Sequence, residues 1–234
     1  MIVLGIETST PQTTVALGSE QGILAATLLS PGRSTHELVV GEIDHLLGRV
    51  QVPITSLAGI AVGLGPGLFT SMRVGIATAK TLAQALSAPI VGLASLDVVA
   101  FSVRYCRRLI CAVIDAKRRE VFYAFYRPVP GGVARQTDFA VAPADRLMAE
   151  LEATREDILL VGNGALVYRR ELEEAGSHVE FASPAYSFPA ATALVELAIP
   201  RFEREEFDRV FDVQPYYVRK SDAEIAWDHR RRAG

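Results

Sequence analysis

The chain has 234 residues, half of them hydrophobic, a formal charge of −3 and two cysteines. That length allows one large domain or two modest ones. The mild acidity argues against a protein that holds nucleic acid through its overall field, and Cys106 and Cys111, with no second pair at metal-site spacing, exclude a disulfide framework and fit a reducing compartment.

The start of the chain lacks a basic leader and meets Glu7 after six residues, so it reads as a strand and not a signal peptide. No apolar run is long enough to span a bilayer, and a cytoplasmic protein without membrane contact is expected. Residues 2–6 suit a strand buried on both faces. Thr8 to Gln12 is a turn cluster, residues 13–17 are a second strand and residues 23–29 a third. Tight turns join the three into an antiparallel meander. After Pro31-Gly32-Arg33, Ser34 or Thr35 caps a helix running to about Arg49, with Glu37 in its first turn. Val39, Ile43, Leu46 and Val50 make one stripe on it. Leu38, Val40 and Leu47 lie outside that stripe, a broader apolar cover than one core-facing side requires, which hints at a second buried face.

Residues 57–62 form the next strand. It enters Gly63-Leu64-Gly65-Pro66-Gly67-Leu68-Phe69-Thr70, and a helix over 71–86 leaves it, rich in small residues: Gly75, Ala77, Ala79, Ala83 and Ala85. Such a turn is either a phosphate cradle at a helix N-terminus or a packing surface that other backbone approaches closely. A strand over 89–93 and a helix over 95–103 follow. Three meander strands joined to α/β crossovers predict a mixed sheet with helices on its faces. In the second half, residues 109–114 form a strand ending at Asp115, Lys117-Arg118-Arg119 a turn, and residues 120–126 an aromatic strand. A loop at 128–132, a helix over 143–154, a strand over 158–161, a turn at Gly162-Asn163-Gly164 and helices over 166–175 and 189–199 complete the pattern, with Pro200 bending or ending the last. The strand–acid–turn–strand element near residues 2–17 recurs near 109–126, a sign of two related halves. The expected division is residues 1–104, residues 105–210 and a segment 211–234 returning to the first lobe.

Chemistry-bearing residues are few. Glu7-Thr8-Ser9 could position a metal–phosphate group or simply accept turn N–H groups, and Asp115 is open to the same two readings. The glycine turn is neither a P-loop nor a dinucleotide fingerprint. Lys80 could meet a phosphate or be solvated. His36 and His45 do not stack on one helical face, His178 and His229 are isolated, and no metal motif or nucleophile–base–acid set occurs. Arg230-Arg231-Arg232 reads as a solvated tail.

Residues 2–9, then Gly65-Pro66-Gly67-x-Phe69-Thr70-x-x-Arg73-Val74-Gly75-x-Ala77-x-Ala79-Lys80-x-Leu82-Ala83, then Asp115-Ala116-Lys117-x-x-Glu120-Val121-Phe122, Gly162-Asn163-Gly164-Ala165 and Pro215-x-Tyr217-x-Arg219 resemble the TsaB family, formerly YeaZ. The resemblance implies α/β architecture of the acetate kinase/sugar kinase/Hsp70/actin (ASKHA) type, two ribonuclease H-like lobes with mixed sheets flanked by helices. It implies a non-catalytic scaffold for TsaD, with TsaE, in making N6-threonylcarbamoyladenosine in tRNA at the adenosine 3′ of the anticodon. ATP or ADP and a metal are then expected on the partner subunits, none on this chain, and tRNA is met through the complex. TsaD's His-x-x-x-His metal pair aligns with Ser95 and Val99 here, which argues against transferase chemistry. Where the family usually has Asp, Ser and Gly, this chain has Glu7, Leu68 and Ser71, departures that weaken nucleotide binding. The implied docking face comprises Val39, Ile43, Leu46, Arg73, Gly75, Ile76, Ala79, Lys80 and Ala83, a four-helix arrangement equally open to a homodimer. The implied vestigial nucleotide cleft comprises Glu7, Thr8, Ser9, Gly65, Gly67, Asp115, Gly162 and Gly164. The alternatives are an autonomous ATP-binding kinase or ATPase of the same fold and, more remotely, a peptidase.

Overall fold

A computed structural model of the protein describes residues 1–29 and 38–219. The expected cap at Ser34 or Thr35, Glu37, His36, His229 and the terminal arginines lie outside them. The apolar N-terminal run becomes β1 (Ile2–Glu7), which pairs antiparallel with β2 (Thr13–Ser19), itself paired with β3 (Gly22–Leu29). Then come α1 (Val39–Val50), β4 (Leu57–Gly63) parallel to β1, α2 (Phe69–Leu86), β5 (Ile90–Leu93) parallel to β4, and α3 (Ser95–Phe101). The first sheet is ordered β3-β2-β1-β4-β5.

The second half comprises β6 (Leu109–Lys117), β7 (Glu120–Val129), β8 (Gly132–Arg135), β9 (Ala140–Pro143), α4 (Ala144–Ala153), β10 (Ile158–Val161), α5 (Asn163–Val167), α6 (Arg169–Leu172), β11 (Val179–Phe181) and α7 (Ala191–Glu203). Its sheet, β8-β7-β6-β10-β11, repeats the order and strand directions of the first, with β9 added along the other half of β7. The duplicated strand–acid–turn–strand element is therefore the centre of two equivalent sheets, and the ASKHA architecture holds. The short strands β8, β9 and β11 escape the sequence reading because they are three or four residues long, too short for a two-residue period to stand out.

Period-two alternation assigns the two faces of the first sheet. Leu4, Ile6, Val15, Leu17, Ile60 and Val62 pack under α1 and α2. Val3, Ala16, Ala61 and Val91 face the opposite way, against α7 and α3. This corrects the expected boundary: α7, from the stretch assigned to the second lobe, covers the first sheet. The reason is steric. A Cβ on Gly5 would stand 2.6 Å from Val195 Cγ2, and one on Gly59 would meet the Phe202 ring, so small residues on β1 and β4 leave a trough that these side chains fill. Pro200 lies inside α7, which continues to Glu203. Helix α3 is shared, with Val98 and Phe101 in the first lobe's core and Leu96, Val99 and Ala100 in the core of β6 and β7. The chain after α7 returns to the first lobe. Asp208 bridges to Ile90, Val213 is buried under α1 and α2, and the Tyr216 N–H donates to the Leu64 carbonyl at 2.9 Å. Among the described residues, no helix is long and apolar enough to cross a membrane.

On α2, Ala79 is fully buried in the core whereas Ala77 faces solvent. Ala79→Arg is expected to lose about 3 kcal/mol or more through burial of an unpaired charge, while Ala77→Arg stays within about 0.5 kcal/mol of wild type. Urea unfolding followed by circular dichroism distinguishes the two; equal stability of both variants would contradict the packing.

Candidate functional site

Glu7 ends β1 inside the protein. Its Oε1 accepts from the Ser9 N–H at 2.7 Å and its Oε2 from the Ser95 hydroxyl at 2.8 Å. The Ser95 oxygen in turn accepts from the Gly65 N–H at 3.1 Å, and the Ser95 N–H donates to the Gly65 carbonyl at 2.7 Å. A Cβ on Gly63 would collide with the Glu7 carboxylate, and one on Gly67 with the Ser9 carbonyl. Gly65 adopts φ +80°, a conformation glycine enters without steric cost. Thr8 turns outward from β1 to donate to the Ser71 carbonyl at 2.7 Å, filling the space that a side chain at Gly75 would need.

The glycine turn is thus a packing device, with the carboxylate of β1 in the gap it leaves. A phosphate would need its N–H groups, yet those of Leu64, Gly65 and Leu68 already donate to Leu93, Ser95 and Ser9. Burial pushes the Glu7 carboxyl above the usual carboxylate range, against the opposing pull of the Ser9 and Ser95 hydrogen bonds.

The second lobe repeats the arrangement in another form. Asp115 Oδ1 accepts from the Lys117 N–H at 2.9 Å and from the Tyr168 hydroxyl at 3.2 Å, and its Oδ2 pairs with Lys117 Nζ at 2.6 Å. The Asp115 N–H donates to Asn163 Oδ1 at 3.3 Å. Gly162, at φ +109°, and Gly164 lie against the backbone of β6. Asp115 closes the β6–β7 turn, and the two glycines allow α5 to approach its strand. The single expected cleft is corrected to two separately packed turns. Of its eight residues, Gly67 lines the real opening between the lobes, and the other seven are not among the residues lining it.

That opening, about 720 Å³, lies between the start of α2 (Phe69, Thr70, Arg73), the β6–β7 turn (Ala116, Lys117, Phe122) and Tyr216 to Arg219. Arg219 Nη1 pairs with Glu120 Oε2 at 2.7 Å, and the Tyr216 ring meets Phe139 edge-on at 5.3 Å. The C-terminal segment therefore touches both lobes at the mouth of the opening.

The expected docking face needs a larger correction. Val39, Ile43, Leu46, Gly75, Ile76, Ala79 and Ala83 are all buried beneath α1 and α2 in the first lobe's own structure. Lys80 is half-buried, with Nζ donating to the Val213 carbonyl at 3.1 Å, and of the nine residues only Arg73 is exposed. The side of each helix rich in apolar and small residues faces its own sheet because burial there removes the most apolar area from water. A second set of small residues lies on the outward face, and the sequence reading missed it. On α2 these are Ala77, Thr81 and Ala85; on α1 they are Gly41 and Gly48, beside Val40, which is 64% exposed. A Cβ on Gly41 or Gly48 would meet nothing within 4 Å, so nothing in the described structure requires glycine there. Each costs the helix about 1 kcal/mol relative to alanine. The available signal was a pair of glycines seven apart in an otherwise good helix.

Because the folded-state pKa of Glu7 lies above its ordinary value of 4.5, its contribution to stability is fully present below that pH and is lost as pH rises through the folded-state value. Relative to wild type, Glu7→Gln is therefore expected to gain stability as pH rises above 4.5 and to level off once the folded-state value is passed, in urea midpoints measured across the pH range in which the fold persists. A stability difference that does not vary with pH would contradict the shift.

A family model described as TsaD, tRNA N6-adenosine threonylcarbamoyltransferase, matches residues 32–227. The chain is 29% identical over 230 residues to the tRNA threonylcarbamoyladenosine biosynthesis protein TsaB of Bacillus subtilis, covering 97% of this chain and 98% of that protein. It is 25% identical over 231 residues to the protein of the same name from Escherichia coli, covering 97% of each. The solved structure of YeaZ from Pseudomonas aeruginosa superposes with a TM-score of 0.79 at 26% identity, over 92% of this chain and 99% of that one. With the duplicated sheets, the packed glycine turn and near full-length similarity in agreement, the chain belongs to the TsaD family of threonylcarbamoyltransferase-related proteins, in its TsaB/YeaZ branch.

Proposed function

We propose that this chain is a non-catalytic subunit that docks on TsaD and, with TsaE, organises it for N6-threonylcarbamoyladenosine formation in tRNA in the cytoplasm. The observation that carries this reading is the occupied glycine turn. Where a kinase of this architecture would hold phosphate, this chain has a buried carboxylate, packed glycines and the N–H groups of Leu64, Gly65 and Leu68 already paired. Ser95 and Val99, at the positions that the TsaB resemblance aligns with a metal-binding histidine pair, are both buried. Ser95 is engaged with Glu7 and Gly65, so the described site offers no ligand pair there. ATP or ADP and the metal then belong to the partner subunits.

The outward faces of α1 and α2 supply the docking surface. Gly41 and Gly48 on one helix and Ala77, Thr81 and Ala85 on the other let a partner helix approach backbone closely, and exposed Val40 adds apolar area. A second copy of this chain is the competing occupant, and the same surface would serve it.

Size-exclusion chromatography with light scattering tests the reading on this chain, TsaD from the same organism and their mixture. A one-to-one complex is expected at micromolar concentration, abolished by Ala77→Arg/Thr81→Arg while that variant stays folded. Gly41→Ala/Gly48→Ala is expected to be more stable yet to bind more weakly, because the added methyl groups hold the partner off. A complex unaffected by either variant would overturn the surface. Absence of any complex, together with saturable ATP binding by the isolated chain, would favour the autonomous nucleotide-binding alternative.

A further inference from the structure

The packed glycine turn and Asp115 account for the two inner walls of the interlobe region, but not for its mouth. There the opening of about 720 Å³ is lined by Arg73, Lys117 and Arg219 and by the rings of Phe69, Phe122, Tyr216 and Tyr217, and among the described residues no aspartate or glutamate lines it. Lys117 and Arg219 are partly neutralised by Asp115 and Glu120 behind them. Among the described residues Arg73 has no acidic partner. Its guanidinium lies over the Phe69 ring, 4.8 Å from the centroid. The Phe69 ring is followed by that of Tyr217 at 5.6 Å and a tilt of 33°. Three planar groups thus succeed one another along one wall, and they are far from hidden: Phe69 is 40% and Tyr217 54% exposed, and Arg73 is exposed as well. Large aromatic side chains left in water are ordinarily unfavourable. Here the C-terminal segment holds them in place through the Tyr216 N–H to Leu64 and the Arg219–Glu120 pair.

Opposite this wall the β6–β7 turn carries Lys117, Arg118 and Arg119 at φ +63°, +54° and +64°. Three successive residues with side chains in the left-handed region are unusual, and all three are cations. Glycine or asparagine would make the turn at lower cost; Lys117 and Arg119 instead pair with Asp115 and Glu171, and Lys117 is the cation of this turn that lines the opening.

We propose that this mouth binds an unstacked nucleotide of single-stranded RNA, with the base against the Arg73–Phe69–Tyr217 wall and the phosphate toward Lys117 and Arg219. Flat aromatic and guanidinium faces beside cations are what an extruded base and its phosphate require. An acidic protein segment would satisfy the cations but leave the planar faces unused. The chain's overall charge of −3 is no obstacle, because the field that matters is local to the opening. The site adjoins the outward face of α2, where Phe69 and Arg73 share a shallow pocket with Ala77, but its rings and cations are a different set of residues and the proposal does not depend on docking to TsaD.

The test uses the isolated full chain and a fluorescently labelled RNA hairpin with an unpaired loop, followed by polarisation at low salt. Saturable binding is expected, with the same RNA as a continuous duplex competing poorly. Tyr217→Ala is expected to weaken binding at least about fivefold, as for loss of one stacked base, whereas Tyr217→Phe, which keeps the ring, stays within about twofold. Arg73→Ala is expected to weaken binding through loss of its stacked guanidinium, and Lys117→Ala to weaken it and to reduce the slope of log affinity against log salt by about 0.7, the share of one phosphate contact. AMP as competitor separates two sources of the same chemistry: displacement of the hairpin by AMP assigns the site to a single free nucleotide, and displacement by RNA alone assigns it to a strand. No binding up to about 100 μM, equal competition by duplex, or Tyr217→Ala and Arg73→Ala binding like wild type would overturn the proposal. Chromatography of Tyr217→Ala with TsaD keeps the two readings apart, since that variant is expected to retain the one-to-one complex while losing RNA.

Discussion

The buried hydrogen-bonded knot of Glu7, Ser95 and Gly65 is the constraint on which the rest of this structure depends. It joins the end of β1, the turn that launches α2 and the first residue of α3, three elements far apart in sequence. A carboxylate in so dry a place is costly unless its acceptors are used, and here the Ser9 N–H and the Ser95 hydroxyl use both oxygens. The absent side chains of Gly63 and Gly67 supply the room. Enlarging either glycine or removing Ser95 would leave a clash or an unpaired oxygen at the centre of the first lobe.

From that knot the two lobes become one body. Helix α3 starts at Ser95 and gives its residues to both cores. Helix α7 returns from the second half to cover the first sheet, and the segment after it touches both lobes through Tyr216 and Arg219. A kinase of this architecture would keep the space between its lobes for phosphate. Here the turns after Glu7 and Asp115 are packed by the chain's own side chains, while an opening of about 720 Å³ remains between the lobes and the outer faces of α1 and α2 are exposed.

Much of the fold is legible in the residues because the signals are local. The unbroken apolar run from Ile2 to Ile6 marks a strand buried on both faces. The recurrence of strand, acid and turn at Glu7 and Asp115 marks two related halves. The small residues after Gly67 mark a helix that something approaches closely. What approaches was not legible. Gly75 and Ala79 look the same in sequence whether the neighbour is the protein's own β1–β2 turn or a partner helix. The neighbour is Thr8 and the core.

The sequence by itself determined the order of the longer elements, the recurrence that marks two related halves and the family, because periodicity, turn chemistry and motif spacing act over a few residues at a time. Only the tertiary structure decided which side of α1 and α2 is outward, that α7 belongs to the first sheet, and that Phe69, Tyr217 and Arg73 meet at one opening. Those outcomes depend on which apolar surfaces find each other when the whole chain excludes water, a competition among segments over a hundred residues apart. Gly41 and Gly48 show the difference most simply: in the sequence they are two glycines in a helix, and once the helix is seated they have open space above them.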